Sequence, residues 1–394
     1  MHMQRTKHYL SKTDGDISTF KQSVEKTTHP ADYPLATNIQ QNAVIYSNKT
    51  VLDARKDSDK KQALMAEWIK VWLDGPGVLM IAQAMDADTI DRTNTLFDSI
   101  IRDQKNNQSA GGGDHFAKAG ANDRIWNALG KHALADPEGF ACYYANEALA
   151  LASEAWLGTG YQVTAQVNRV NPGGAAQTAH RDYHLGFMAA DQIVKYPTHV
   201  HLLSPVLTLQ GAIAHCDMPK ETGPTLYLPY SQNYPEGYLA FGRDEFQEYF
   251  NQHRSQLELS KGDMVFFNPA LMHAAGENTT TDRYRLANLL QVSSAFGKPI
   301  ESVDHLSAIN TVYPALLKLK QNQLLTDSEL NNVICACTDG YPFPTNLDHD
   351  LPEDGLAPRS QQQRVLAALS HTKSHHLLMQ ELNEQQLMQR QTGS

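Results

Sequence analysis

Two His-x-Asp pairs, His180-Arg-Asp182 and His215-Cys-Asp217, and a later histidine, His273, hold the chemistry most easily recognised in this 394-residue chain. Two imidazoles and one carboxylate on one face of a metal ion, with the opposite face open, form the pattern of oxygen-activating Fe(II) centres. His-x-Asp at a strand end delivers two such ligands together, because alternate residues of a strand share a face. A second, distant strand must then supply the other histidine. Chance alone gives about two His-x-acid pairs in a chain with 17 His and 43 acidic residues, so the surroundings must decide between them.

His180 follows a β-like run and the turn Asn171-Pro-Gly-Gly174, and it precedes Tyr183-His184-Leu-Gly-Phe187, a placement at the mouth of a barrel. His215 and Asp217 end the run LTLQGAIAHC and are expected to lead from a strand into a surface loop. His199-Val-His201 is expected on one face of a strand, in a half-buried or strand-crossing role. His273 stands at the exit of KGDMVFFNPALMH, whose Gly-Asp turn and apolar strand would carry an imidazole back across a sheet. Beyond it, Arg283-Tyr-Arg285 opens an alternating run. A forked guanidinium there suits the remote carboxylate of a dicarboxylic co-substrate chelating the metal. On a strand both arginines point the same way, and local spacing leaves the choice between them open.

The elements that position these residues are read from pattern. Composition is ordinary for a folded chain, with 41% hydrophobic and 19% charged residues. The net charge of -10 argues against a nucleic-acid binder. No apolar run is long enough to span a membrane, and the start lacks the apolar stretch of a signal peptide. The four cysteines are scattered, which fits reduced thiols and a cytoplasmic protein. Residues 1–45 are polar and aperiodic, an expected surface arm. A capped helix is expected over Ser58 to Leu73, a buried strand at 78–81 and a second helix over 88–101. Loops at 106–114 and 171–174 are candidate lids. After a mixed helical stretch to about Leu157, short apolar runs separated by turns fill 162–291, among them HVHLLSPVLTL and DMVFFNP. That texture predicts a mainly β domain over 46–298, a sandwich or jelly roll with helical additions. Helix returns over 299–394 and ends in one helix over about 360–389, whose leucines are expected to pack on the chain's own core. His371, His375 and His376 there are expected to bind nothing. Monomer and homodimer both remain open.

The stretches AHRDYHLGF and KGDMVFFNPALMHAAGENTTTDRYR resemble the phytanoyl-CoA dioxygenase family. GPGVLMIAQAMDADTIDRTNTLFDSI is similar to its opening strand and helix, and GPTLYLPYSQ to a later turn, so the resemblance covers roughly 72–295. It implies a double-stranded β-helix (jelly-roll, cupin-like) core. It also implies Fe(II) bound by His180, Asp182 and His273, with 2-oxoglutarate and O2 as co-substrates and Arg285 as the 2-oxoglutarate clamp. The spacing is one residue longer than usual, which keeps Arg283 open. Asn168 and Gln162 fall where related enzymes place amides near the co-substrate. The implied reaction hydroxylates or otherwise oxidises an unactivated C–H of a small-molecule substrate and releases succinate and CO2. Two positions depart from the pattern: Ala275 replaces a frequent Ser, and Pro229-Tyr-Ser-Gln232 replaces Pro-Gly-Ser-His. The carboxylate of Asp182 occupies the place that halogenases leave small for chloride. Rival readings are a cupin-like metal-binding protein without oxygenase activity, and a Zn or Mn hydrolase or isomerase with the same triad.

Overall fold

A computed structural model describes residues 7–106, 120–184, 186, 188–353 and 356–390. The loop expected at 106–114 lies, beyond its first residue, outside the described residues. Strands β1 (Asn38–Gln40), β2 (Ala43–Ser47), β3 (Val78–Ala82), β4 (Asn122–Ile125), β5 (Gln162–Val170), β6 (Thr208–Ala214), β7 (Leu226–Leu228), β8 (Ser255–Gln256), β9 (Met264–Phe267), β10 (Met272–Ala274) and β11 (Arg285–Ser293) make two sheets. The larger has the order β1-β2-β3-β9-β6-β11-β5-β4, and the smaller β10-β7-β8. All the paired strands are antiparallel except β2 with β3.

Strand alternation gives the large sheet two unlike faces. Val163, Ala165, Val167, Leu209, Ile213, Met264, Phe266, Leu286, Leu290 and Val292 point to one side and enter the main core. The helices Ser58–Leu73, Ala87–Asn106, Glu147–Leu157 and His305–Gln321 cover that side with Trp68, Trp72, Phe97, Leu149 and Val312 among others. Gly211 in β6 lets the Phe266 ring lie close, since a Cβ there would come within 2.7 Å of it. The other side carries Gln166 and Asn168 of β5, Gln210 and Ala212 of β6, and Arg285, Leu289 and Gln291 of β11, which line a common cavity.

Several expectations are corrected. Helices make up 46% of the described residues, so the sheet carries extensive helical cover. The segment read as an arm contains the helix Ile17–Val24, whose Phe20 and Val24 pack with Leu226, Leu228 and Met272 of the small sheet. It also supplies β1 and most of β2, so the expected boundary at residue 45 falls inside a strand; such short pieces give too few residues for a visible period. The HVHLL run is a helix, Thr198–Leu203, preceded by Pro197, whose fixed φ suits a helix start. β4 escaped notice because NDRI is charged; Asp123 and Arg124 are buried nonetheless. The last expected helix is two, Gln361–Ser370 and His375–Gln389, broken where Thr372 takes φ 52°. Leu369, Leu378 and Leu382 enter the main core.

His215 is not in a surface loop. It lies on the helix-covered side, where its Nδ1–H donates to Asn94 at 2.7 Å and its Nε2 accepts from the Tyr143 hydroxyl at 2.8 Å. Asn288 donates to that hydroxyl in turn at 3.0 Å. Burial pushes the His215 pKa down to about 3 and that of neighbouring His132 to about 4. Both are lowered below the unfolded value, so neutral burial is favourable above about pH 6.5 and loses ground as pH falls towards the folded values. Unfolding free energy measured by urea titration should therefore decline between pH 6.5 and 4, by up to about 1.4 kcal/mol per pH unit for each histidine. His215→Gln should be less stable at neutral pH, with a visibly shallower decline; an unchanged slope would contradict the assignment.

Candidate metal centre

His180, Asp182 and His273 come together, all buried, with one ligand atom of each lying within 4.8 Å of the others. The chain after β5 runs antiparallel to β10: the His180 N–H donates to the His273 carbonyl and the His273 N–H to the His180 carbonyl, each at 2.9 Å. The rings thus stand 4.4 Å apart, centroid to centroid. Nδ1–H of His180 donates to the Thr178 carbonyl at 2.9 Å, and Nδ1–H of His273 to the Leu271 carbonyl at 2.7 Å. Those bonds fix the tautomer with the proton on Nδ1, so that the lone pair a metal needs sits on each Nε2. Burial, with His180 beside it, pushes the His273 pKa down to about 4, so the ring is neutral at pH 7. Its Nε2 lies 3.8 Å from Asp182 Oδ2, a spacing of two ligands of one ion and not an ion pair.

Alternation also places Arg181, between the two ligands, on the opposite side. Its guanidinium is buried and donates to the carbonyls of Tyr234 (2.9 Å), Ser231 (2.7 Å) and Ala270. It lies so close over Gly237 that a Cβ there would clash. Burial lowers its pKa to about 10, which still leaves it charged. Three carbonyls thus hold the ligand segment in place. Ser231 further accepts the Met272 N–H at 2.7 Å and braces β10 beside His273. Gln232, the departure from Pro-Gly-Ser-His, donates to the Gly75 carbonyl at 2.8 Å and ties that turn to the edge of β3.

The three residues open on a cavity of about 590 Å³ lined also by Arg124, Gln166, Asn168, Gln210, Arg285 and Gln291. Arg285, the first residue of β11, is buried, and its Nη1 has no hydrogen-bond partner. Burial lowers its pKa to about 10, so it remains a cation. Arg283 precedes the strand and is exposed, its carbonyl held by Asn278 at 2.8 Å and Thr280 at 2.8 Å. The expectation that both arginines share a face fails because the strand starts only at Arg285. Tyr284 is exposed under Arg169 and lies outside the cavity lining. Asn168 lines the cavity and Gln162 does not. Gln162 shares Asn168's face, but six residues further along β5 it is roughly 20 Å away. Gln166, two residues before Asn168 on the same face, lines the cavity instead. Beside Ala275, Gln177 accepts its N–H at 3.1 Å and lines the same cavity.

Residues 73–287 match the phytanoyl-CoA dioxygenase family. The chain belongs to that family. Among solved structures it is similar to the non-heme alpha-ketoglutarate-dependent epimerase SnoN from nogalamycin biosynthesis, at 19% identity over 61% of this chain and 82% of that one, with TM-score 0.42. It is also similar to the carbocyclase SnoK from the same biosynthesis, at 19% identity over 60% and 86%, with TM-score 0.43. A third is HygX from Streptomyces hygroscopicus, solved with nickel and 2-oxoglutarate, at 13% identity over 60% and 90%, with TM-score 0.40. No curated protein matches the chain. No helix among the described residues is long and apolar enough to cross a membrane.

Gln210 had no signal in the sequence beyond its place in an alternating run. It comes from β6 and donates to Asp182 Oδ2, orienting the carboxylate. Gln210→Leu should weaken metal binding about 10- to 100-fold, as loss of such an outer partner does. Calorimetric titration with Mn(II) under nitrogen checks this; an affinity within twofold of wild type would remove Gln210 from the site.

Proposed function

We propose that the protein is an Fe(II)- and 2-oxoglutarate-dependent dioxygenase. His180, Asp182 and His273 would hold the metal, and Arg285 would pair with the remote carboxylate of 2-oxoglutarate. The observation that carries this reading is the buried, charged Arg285 with an unpartnered Nη1 in the cavity of the His-Asp-His cluster. A buried guanidinium without an anion is costly, and a dicarboxylate meets that need with parallel hydrogen bonds. Bound there, the metal with 2-oxoglutarate and O2 supplies the oxidising chemistry, with succinate and CO2 released and an unactivated C–H of a small molecule hydroxylated or otherwise oxidised. The protein's own part is placement. The Nδ1 bonds to Thr178 and Leu271 aim both imidazoles, Gln210 orients Asp182, and Phe267 packs edge-on to His273 at 4.8 Å. Burial of all three ligands keeps bulk water from the reacting face. We read the two sheets as the layers of a double-stranded β-helix, with the catalytic unit of residues 46–298 extended at its edge by β1 and β2 from the N-terminal segment, and 299–394 as a helical extension. The size of the cavity suits a small-molecule substrate.

Adding Fe(II) and then 2-oxoglutarate without oxygen should produce a weak visible charge-transfer band. A metal-binding protein without oxygenase activity, or a hydrolase using the same triad, gives none. Arg285→Leu should raise the dissociation constant of 2-oxoglutarate at least about 100-fold, the scale of losing a buried charged pair, while Arg283→Leu stays within about twofold. Asp182→Ala should abolish succinate formation. The reverse order of the two arginine effects would refute the clamp.

A further inference from the structure

Glu301 lies eight residues beyond the end of β11, in the segment leading to the helix His305–Gln321, and its carboxylate lines the same cavity. One of its oxygens accepts the Asn127 N–H at 2.6 Å. The other is buried and has no partner. The neighbouring Gln166 amide and, at a distance, Lys131 favour its charged form, and no salt bridge to it forms among the described residues. A buried carboxylate oxygen left unpaired is unfavourable unless a ligand supplies a donor, and a positively charged donor best offsets its desolvation.

The unmet capacity of the neighbouring amides has the same sense. Asn168 Oδ1, Gln210 Oε1 and Gln291 Oε1 line the cavity, are buried and have no partner. The Gln210 oxygen is fixed as the free end because its amide nitrogen faces Asp182. Two guanidiniums also line the cavity: that of Arg285 is taken by the co-substrate in the reading above, and that of Arg124 lies over the Trp126 ring at 5.2 Å. The alkyl chain of an acyl thioester would leave these acceptors buried against hydrocarbon, each at the cost of a lost hydrogen bond. Trp126, Leu289 and Ile300 leave apolar surface for a compact carbon skeleton.

We propose that the substrate is a polar small molecule bearing a protonated amine, that Glu301 receives this amine, and that Asn168 and Gln291 accept from its other donors. The inference rests on the dioxygenase reading and names the substrate class of that same site. Glu301→Gln is the informative variant, because the amide oxygen still accepts from Asn127 while the charge is gone.

The test uses the full chain with Fe(II) and measures 2-oxoglutarate consumption with matched probes: glucosamine against glucose, 6-aminohexanoate against 6-hydroxyhexanoate, and palmitoyl-CoA. In the wild type the amine of at least one pair should give a kcat/KM at least about tenfold above its hydroxyl partner, the scale of one charge-assisted hydrogen bond. Glu301→Gln should cut that ratio to about twofold, chiefly through KM. No response to either amine, a larger response to palmitoyl-CoA, or a preference that survives Glu301→Gln overturns the proposal. Failure of the underlying reading is separate: the Fe(II)–2-oxoglutarate band would be missing before any probe is added.

Discussion

The backbone pairing of His180 with His273 is the contact on which the rest of the site depends. Two reciprocal hydrogen bonds set these residues directly opposite one another, although 92 positions separate them along the chain. A slip of one residue would turn an imidazole to the far side, since strand side chains alternate. The register is therefore held from several directions. Arg181 ties the ligand segment to three carbonyls, Ser231 holds β10, and the Asp182 N–H donates to the Pro269 carbonyl at 3.0 Å. Once the pair is set, the bonds from each Nδ1–H fix the rings without further help from the metal.

The second constraint is the contrast between the faces of the large sheet. The helical layer seals one face with aromatic and aliphatic side chains. The other face keeps amides, two arginines and a carboxylate buried, several of these groups with unpartnered atoms. Buried polar groups of this kind cost stability unless something pairs them, so they mark places where folding yields to binding. The contrast also separates the two His-x-Asp pairs. His215 belongs to the sealed face, where Asn94 and Tyr143 satisfy both ring nitrogens. His180 belongs to the open face and lines the cavity.

What the sequence made legible follows the range of the forces involved. The helix at Ser58–Leu73 and the run leading to His273 carry their own periodicity, and their placement was readable. The pairing of His180, Asp182 and His273 was readable from type and context once the family resemblance was added. Arg285 was separated from Arg283 only by knowing where β11 begins, a matter of pairing with β5 and β6 that local spacing does not contain. Gln162 departs from expectation for a like reason: it shares the face of Asn168 but stands at the far end of β5 from the cavity. Gln210, Arg181 and Glu301 act through partners 28 to 174 residues away, and nothing in their immediate neighbours announces it. Short strands such as β1, β2 and β4 are set by tertiary pairing, which overrides weak local preference.

The central claim is that one cavity holds a metal on His180, Asp182 and His273 and a dicarboxylate on Arg285. The most direct measurement is anomalous diffraction at the iron edge from crystals grown without oxygen in Fe(II) and 2-oxoglutarate. The account predicts a single strong peak among the two Nε2 atoms and the Asp182 carboxylate, with co-substrate density reaching from it to Arg285. A peak elsewhere, or a co-substrate carboxylate lying away from Arg285, would contradict it.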